Sequence, residues 1–339
     1  MKALKLGVVG PGLIWHGTHK KILADMTSFS VVGFCSRRKE TLDRALVDYP
    51  QAKPYGSYQE LVADPEIEGV VVTTPIALNP EVAIAALKMN KHVFLEKPVC
   101  TSVEQGMALI EAEKNSRGTV FVLEQILYHD FWAQLINVCK SGKIGTLSMF
   151  DSTSHGYIGV DKDPWGFGKT EWRVNGEFPL GPLFDGGIHE IALLNCLFGA
   201  PTEVYARGRS HRKDHGQYDV INMMFEYPDG MQGIFSHSGF LGGGHRNSFL
   251  IRGTEGLICN RGFEATVESK DGKVLETIVG EKSAESFFGG LHKNMWNEFV
   301  RVLDGSATLR YTLTEAVRDV AVLKAVEASL ETGVRVKIT

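Results

Sequence analysis

The sequence predicts a two-domain α/β chain, with a parallel sheet covered by helices over residues 1–123 and an α/β region built on a largely antiparallel open sheet over 124–339. Three observations predict it. Short apolar runs alternate with longer amphipathic ones through roughly the first 120 residues, the pattern of repeated βαβ units. A glycine turn, Gly10-Pro11-Gly12, directly follows the first apolar run. Beyond Glu124 strand-like segments succeed one another through tight turns, as antiparallel strands do. The length of 339 residues agrees, at roughly 100–200 residues per domain.

In the first region the expected strands are Leu4–Val9, Ser30–Phe34, Gly69–Val72, His92–Leu95 and Val120–Leu123. Their near-continuous apolar character suits strands buried on both faces. Ser57-Tyr58-Gln59-Glu60 is a capping box, in which hydroxyl and carboxylate each accept a free backbone N–H, and Ser102-Val103-Glu104-Gln105 repeats it. In the second region a helix over Phe131–Cys139 ends near Ser141-Gly142. Strands are expected at Thr146–Ser152, Glu203–Gly208, Val220–Glu226, Met231–Ser236 and Ser248–Arg252. Tyr227-Pro228-Asp229-Gly230 reads as a hairpin turn, with glycine supplying the positive φ. Helix then returns. Leu291, Met295, Phe299 and Val302 share a face, and Thr312-Leu313-Thr314-Glu315 caps a last helix whose Val317, Val320, Leu323 and Val326 face inward. Gly333 stops that helix, which is expected to pack back on the first domain, and Val334–Ile338 adds a short strand.

Composition narrows the function. With 43% hydrophobic and 22% charged residues the chain is globular, and a net charge of -4 offers nothing to nucleic acid or an anionic membrane. No apolar run approaches the ~20 residues of a membrane-spanning helix. The stretch Met1–Leu6 is too short before Gly10 to read as a secretory leader. Cys35, Cys100, Cys139, Cys196 and Cys259 are scattered and odd in number. That pattern fits reduced thiols in the cytoplasm and argues against a disulfide scaffold or a zinc-thiolate site.

Several segments carry chemistry. Gly10 and Gly12, with Leu13 and Ile14 opening the next helix, let the backbone approach a pyrophosphate whose charge the helix N-terminus stabilises. The third glycine of the usual fingerprint is replaced by Trp15, and an ordinary glycine turn is the alternative. The second strand ends in Phe34-Cys35-Ser36-Arg37-Arg38, with no acid to bind a ribose 2′-hydroxyl. Arg37 and Arg38 suit a 2′-phosphate, which favours NADP over NAD; the alternative is a solvated basic turn.

Phe94-Leu95-Glu96-Lys97-Pro98 sets a charged pair at the end of a buried strand, where open α/β sheets bind ligands. Proline after Lys97 allows a cis bond; a surface ion pair is the alternative reading. In Gly181-Pro182-Leu183-Phe184-Asp185-Gly186-Gly187-Ile188-His189-Glu190, a helix beginning near Phe184 would carry Asp185 and His189 on one face. A carboxylate beside an imidazole orients it and favours its protonation. The alternative is a helix start stabilised by Asp185 with His189 a core residue.

The order of these pieces resembles the Gfo/Idh/MocA oxidoreductases, which include glucose–fructose oxidoreductase and inositol dehydrogenase. The glycine turn, Glu96-Lys97-Pro98 and the Asp185-x-Gly187-x-His189 element carry the resemblance. It spans nearly the whole chain, with support from Asp64-Pro65, Thr73-Thr74-Pro75, Glu124 to Tyr128, Trp172-Arg173, Gly253-Thr254-Glu255-Gly256 and Glu331-Thr332-Gly333. The resemblance implies a Rossmann domain followed by an α/β domain whose open sheet forms a homodimer or homotetramer. It implies a catalytic trio of Lys97, Asp185 and His189, and places Thr74, Pro75, Glu96 and Lys97 beside the cofactor. Oxidation of a secondary alcohol sends hydride to nicotinamide while a proton leaves oxygen. His189 takes that proton as base, Lys97 stabilises alkoxide character, and Asp185 bonds the substrate or orients His189. No metal is needed.

Tyr128, Trp172 and Arg173, with His155, Tyr157 and Trp165, are the implied substrate contacts, and aromatic rings among polar groups suit a sugar or cyclic polyol. Three departures from the family pattern stand out. Trp15 replaces a small residue, Thr74-Pro75-Ile76-Ala77-Leu78-Asn79 stands for the usual Thr-Pro-Asn-x-x-His, and His129 takes an arginine's place. Two other readings share the scaffold: a non-catalytic NAD(P)-binding regulator and an NAD-dependent glycosidase.

Overall fold

The computed structural model describes residues 2–156, 166–174, 180–212, 214–241, 246–280 and 290–339. The chain divides into two compact units: Met1–Tyr128 with Phe288–Val320, and His129–Phe287 with Ala321–Thr339.

The first unit holds six parallel strands: β1 (Leu4–Val9), β2 (Phe29–Cys35), β3 (Lys53–Tyr55), β4 (Gly69–Val72), β5 (His92–Glu96) and β6 (Val120–Leu123). Their order is β3-β2-β1-β4-β5-β6. The direction of winding reverses between β1 and β4, so the crevice beyond the ends of those two strands is the ligand-binding position of this topology. Burial explains the apolar runs: Val70, Val71, Val72, Val93, Phe94 and Leu95 are fully buried. Strand β3 is the one element of this sheet that the sequence reading omits. It spans Lys53, Pro54 and Tyr55 only, and its proline is tolerated because the strand lies at the sheet edge.

The segment Leu291–Leu303 belongs to this unit because of its aromatic side chains. Trp296 and Phe299 are fully buried; Trp296 packs 4.8 Å from Phe94 and 5.2 Å from Phe29, and Phe94 stacks on Phe121 at 4.9 Å. The expected caps form, and in two of them the returning side chain bonds one residue early, as Gln105 does to the Thr101 N–H. Ser57 Oγ accepts the Glu60 N–H, but Glu60 reaches back to the N–H of Gly56. Thr312 and Glu315 make the fully reciprocal box.

The second unit is organised by a nine-stranded sheet in the order β14-β13-β12-β11-β7-β10-β9-β8-β15. The strands are β7 (Leu147–His155), β8 (Glu203–Arg209), β9 (Val220–Glu226), β10 (Gln232–Ser238), β11 (Arg246–Gly253), β12 (Gly256–Arg261), β13 (Glu264–Ser269), β14 (Val274–Val279) and β15 (Val336–Lys337). Only β7 and β10 run parallel among the described pairs. Helix Ile188–Phe198 covers one face, where Phe150 stacks on Phe198 at 4.4 Å. Met149, Met224 and Ile234 stand exposed on the opposite face. Strands β12 to β14 are absent from the sequence reading. Their buried positions, such as Ala265 and Val267 in β13, are too few and too small to stand out from polar neighbours. Among the described residues no helix is long and apolar enough to cross a membrane.

Candidate active site

Gly10 and Gly12 differ in why they are glycine. Gly10 has φ of +77°, and a Cβ there would lie 2.9 Å from Thr74 Cγ2 and 3.1 Å from the Thr73 carbonyl. Its N–H donates to Cys35 O and its carbonyl accepts from Thr73 Oγ1 at 2.7 Å, so Gly10 ties β1 to the ends of β2 and β4. A Cβ on Gly12 would meet nothing nearer than Gly10 O at 3.7 Å. Protein packing does not demand glycine at position 12, and the bare backbone leaves space at the switch point for a group outside the protein.

Leu13 and Ile14 follow, half-buried, and the chain then makes a π-helical turn over Trp15–His19 before the helix Lys20–Ala24. Trp15, where the fingerprint has glycine, is fully buried edge-on to Phe34 at 5.6 Å and tilted to Tyr49 at 6.1 Å. Its bulk thus points into the core. At the end of β2, Ser36 Oγ accepts the Arg38 N–H while Arg37 and Arg38 are exposed. Thr74 is half-buried and Pro75 exposed beyond β4.

Glu96 closes β5 and is not a surface partner of Lys97. It is buried, with Oε1 2.7 Å from His19 Nε2 and Oε2 accepting the Lys97 N–H at 3.2 Å. Its carboxyl is held below the usual range: burial opposes ionisation, but the hydrogen bond to His19 and the nearby charges of Lys97 and His292 outweigh it. Trp296 Nε1 donates to His19 Nδ1 at 3.1 Å. The Lys97–Pro98 bond is cis. Asn79, fully buried, donates from Nδ2 to the carbonyls of Glu96 and Pro98 at 3.2 and 3.1 Å, and accepts from Thr74 Oγ1 at 2.8 Å. Asn79, His19 and Trp296 are site-building residues that the sequence reading passes over. Asn79 was legible only as a departure from a motif, and the other two carry no local signal. Tyr128, also of this unit, is buried between Phe299 and the Arg310 guanidinium, 4.9 Å from its ring.

In the second unit the Asp185 and His189 segment departs from the single-helix expectation. One short helix spans Pro182–Asp185 and another begins at Ile188. The cause is the glycine pair. Gly186 and Gly187 both donate to Pro182 O, and a Cβ on Gly187 would strike Leu183 at 2.7–3.0 Å. Asp185 ends its helix and is bidentate with Arg173, at 2.5 Å to Nε and 3.1 Å to Nη2. Arg173 also lies 4.0 Å over the Trp172 ring and bonds Thr170 Oγ1. Trp172, Arg173, Asp185 and His189 are all half-buried, so neither a core tryptophan nor a core histidine describes them. Next to His189, Glu190 accepts from Ser154 Oγ at 2.8 Å, and His155 Nδ1 lies 3.0 Å from Ser238 Oγ. His129 caps the helix Asp130–Lys140 and stacks on Phe263 at 4.7 Å. Tyr157 and Trp165 lie outside the described residues. Among the described residues no group of three or more His, Cys, Asp or Glu side chains could hold a metal ion.

His237 on β10 is buried beside Ser154 in register, and among the described residues neither ring nitrogen has a hydrogen-bond partner. Burial, reinforced by His155, pushes its pKa from 6.5 down to about 4. The unfolded chain therefore takes up this proton first as the medium acidifies. The stabilisation is complete above pH 6.5 and is lost as pH falls toward 4, on the order of 3 kcal/mol. Thermal melting of His237→Phe is expected to depend less steeply on pH across that window than the parent; an identical slope would contradict this.

Comparison with known proteins decides the family. Residues 4–124 match the model of an oxidoreductase family with an NAD-binding Rossmann fold, and residues 132–259 match the GFO/IDH/MocA C-terminal domain. The chain belongs to the Gfo/Idh/MocA oxidoreductase family. It is an NAD(P)-dependent oxidoreductase of the dehydrogenase type. It is 23% identical to the scyllo-inositol 2-dehydrogenase (NADP(+)) of Bacillus subtilis, over 97% of this chain and 94% of that one. It is 28% identical to the trans-1,2-dihydrobenzene-1,2-diol dehydrogenase of Mus musculus over 75% and 74% of the two chains. The fold also superposes on a levoglucosan dehydrogenase solved with NADH and levoglucosan, with a TM-score of 0.84, 18% identity and 99% of each chain covered.

Proposed function

We propose that this family member oxidises a ring hydroxyl of a sugar or cyclic polyol, or reduces the matching ketone, with NADP preferred over NAD. The observation that carries the reading is the glycine cradle: Gly12 is bare although packing leaves room for a side chain, and Lys97 follows the nearby β5. The bound nicotinamide supplies the hydride acceptor. Everything else falls to the chain. His189 accepts the hydroxyl proton, and the Lys97 ammonium stabilises the oxygen as it gains alkoxide character. Asp185, oriented by the Arg173 fork, accepts a hydrogen bond from the substrate, and Trp172 offers a flat surface to ring C–H groups, whereas Tyr128 is buried and supports the site from the core.

NADP preference rests on Ser36, Arg37 and Arg38, where no acid repels a 2′-phosphate and two exposed guanidinium groups stand. The relatives agree on substrate class, since their names are those of inositol and diol dehydrogenases. The exposed Met149, Met224 and Ile234 on the uncovered sheet face support a homodimer or homotetramer through that sheet. Five free cysteines, three of them buried, suit a reducing cytoplasm.

The test is fluorescence titration with NADPH and NADH in parallel, followed by a screen of myo-inositol, scyllo-inositol, levoglucosan and D-glucose with NADP⁺. NADPH is expected to bind more tightly, and Arg37→Ala to weaken it by about tenfold with little change for NADH. Tighter NADH binding would overturn the cofactor preference, and failure of all four alcohols would overturn the substrate class.

A further inference from the structure

The surroundings of Glu96 show where a proton is fixed. An indole N–H only donates, so the 3.1 Å bond from Trp296 makes His19 Nδ1 an acceptor. The single ring proton of His19 then sits on Nε2, and its 2.7 Å contact with Glu96 Oε1 is an N–H donated to a carboxylate. A protonated Oε1 would face a nitrogen with no lone pair. Glu96 is thus held as an anion in the core, its other oxygen taken by the Lys97 N–H. Asn79 grips the carbonyls on either side of Lys97. The peptide groups around Lys97 are therefore held by the adjacent Glu96 carboxylate and by Asn79, which is remote in sequence.

We propose that Trp296, His19 and Glu96 form a fixed-proton relay that positions Lys97 for hydride transfer, with His19 the positioning residue. The assignment rests on the reading of Lys97 given above. A buried carboxylate is stable only when fully bonded, so an apolar plug would serve the core at lower cost if packing were the sole demand. Here the bonded anion ends on the backbone of the residue that carries the ammonium. Among the described residues, His292 also faces this relay, edge-on to His19 at 5.6 Å and close enough to act on Glu96.

The test joins spectroscopy to kinetics on the full chain. In ¹⁵N-histidine spectra His19 is expected to show the Nε2–H tautomer; an Nδ1–H signal overturns the relay. With the best alcohol of the four-member screen, His19→Ala is expected to lower kcat by about 10–100-fold, leaving the affinity for NADPH within a few-fold. His19→Gln, whose amide still donates to Glu96, recovers at least half of that loss on a logarithmic scale. Trp296→Phe removes the donor that fixes Nδ1 as an acceptor, so kcat is expected to fall by a smaller factor than in His19→Ala, with the affinity for NADPH again within a few-fold. A His19→Ala enzyme within twofold of the parent overturns the proposal, as does a Trp296→Phe enzyme with the parent's kcat. Should His19→Ala fail to fold, the other two variants decide. Lys97→Met separates the layers: if it leaves kcat intact, the reading of Lys97 fails and this one falls with it. If it abolishes turnover while the His19 variants do not, the relay alone is wrong.

Discussion

Lys97→Met is expected to lower kcat by about 10²–10⁴-fold, the range for loss of a positioned charge or proton-transfer group, while NADPH still binds within about threefold of the parent. The split follows from where Lys97 stands. Its backbone is clamped by Glu96 and Asn79, so a methionine of similar length occupies the same space without disturbing β5. On the proposed mechanism, what disappears is a cation beside the substrate oxygen, whose value is greatest as the O–H bond breaks. Steady-state kinetics beside a fluorescence titration read the two effects separately. A variant with raised KM and unchanged kcat would make Lys97 a substrate anchor only.

The second large effect separates two neighbouring glycines. Gly12→Ala is expected to fold like the parent, with a melting temperature within a few degrees, because its Cβ meets nothing closer than 3.7 Å. Its affinity for NADPH should nonetheless fall at least tenfold, since the methyl group fills the space the pyrophosphate needs. Gly10→Ala should fail differently. It combines a φ of +77° with a Cβ 2.9–3.1 Å from Thr74 and the Thr73 carbonyl, and strain with overpacking together cost about 2–4 kcal/mol. Differential scanning fluorimetry and titration distinguish the cases. A Gly12→Ala protein that binds NADPH normally would remove the main support for the cradle.

The sequence announced those elements whose burial makes them uniform. Strands β1, β4 and β6 match their structural bounds, because strands covered on both faces read as unbroken apolar runs. Strand β3 and the β12–β14 ribbon were not legible: the first is a three-residue edge strand, and the others alternate small buried residues with polar ones. Gly186-Gly187 breaks the helix that spacing alone treats as continuous. Trp15 looked like damage to a glycine fingerprint, and burial against Phe34 resolves it. Motifs point to candidate residues because a strand end and a glycine turn are local. The supports were illegible for the opposite reason. His19, Asn79 and Trp296 converge on Glu96 and Lys97 from segments up to 277 residues apart, and nothing in a linear pattern marks that meeting.

The central claim is that this chain moves hydride between a ring carbon and nicotinamide, and deuterium transfer tests it most directly. Incubation with NADP⁺ and each C-perdeuterated alcohol of the screen should place one deuterium on the reduced nicotinamide ring, detected by mass spectrometry. Lys97→Met should abolish the transfer. Tight NADPH binding with no deuterium in the cofactor, from any alcohol and at any pH between about 6 and 10, would contradict the account and make the protein a nucleotide-binding regulator.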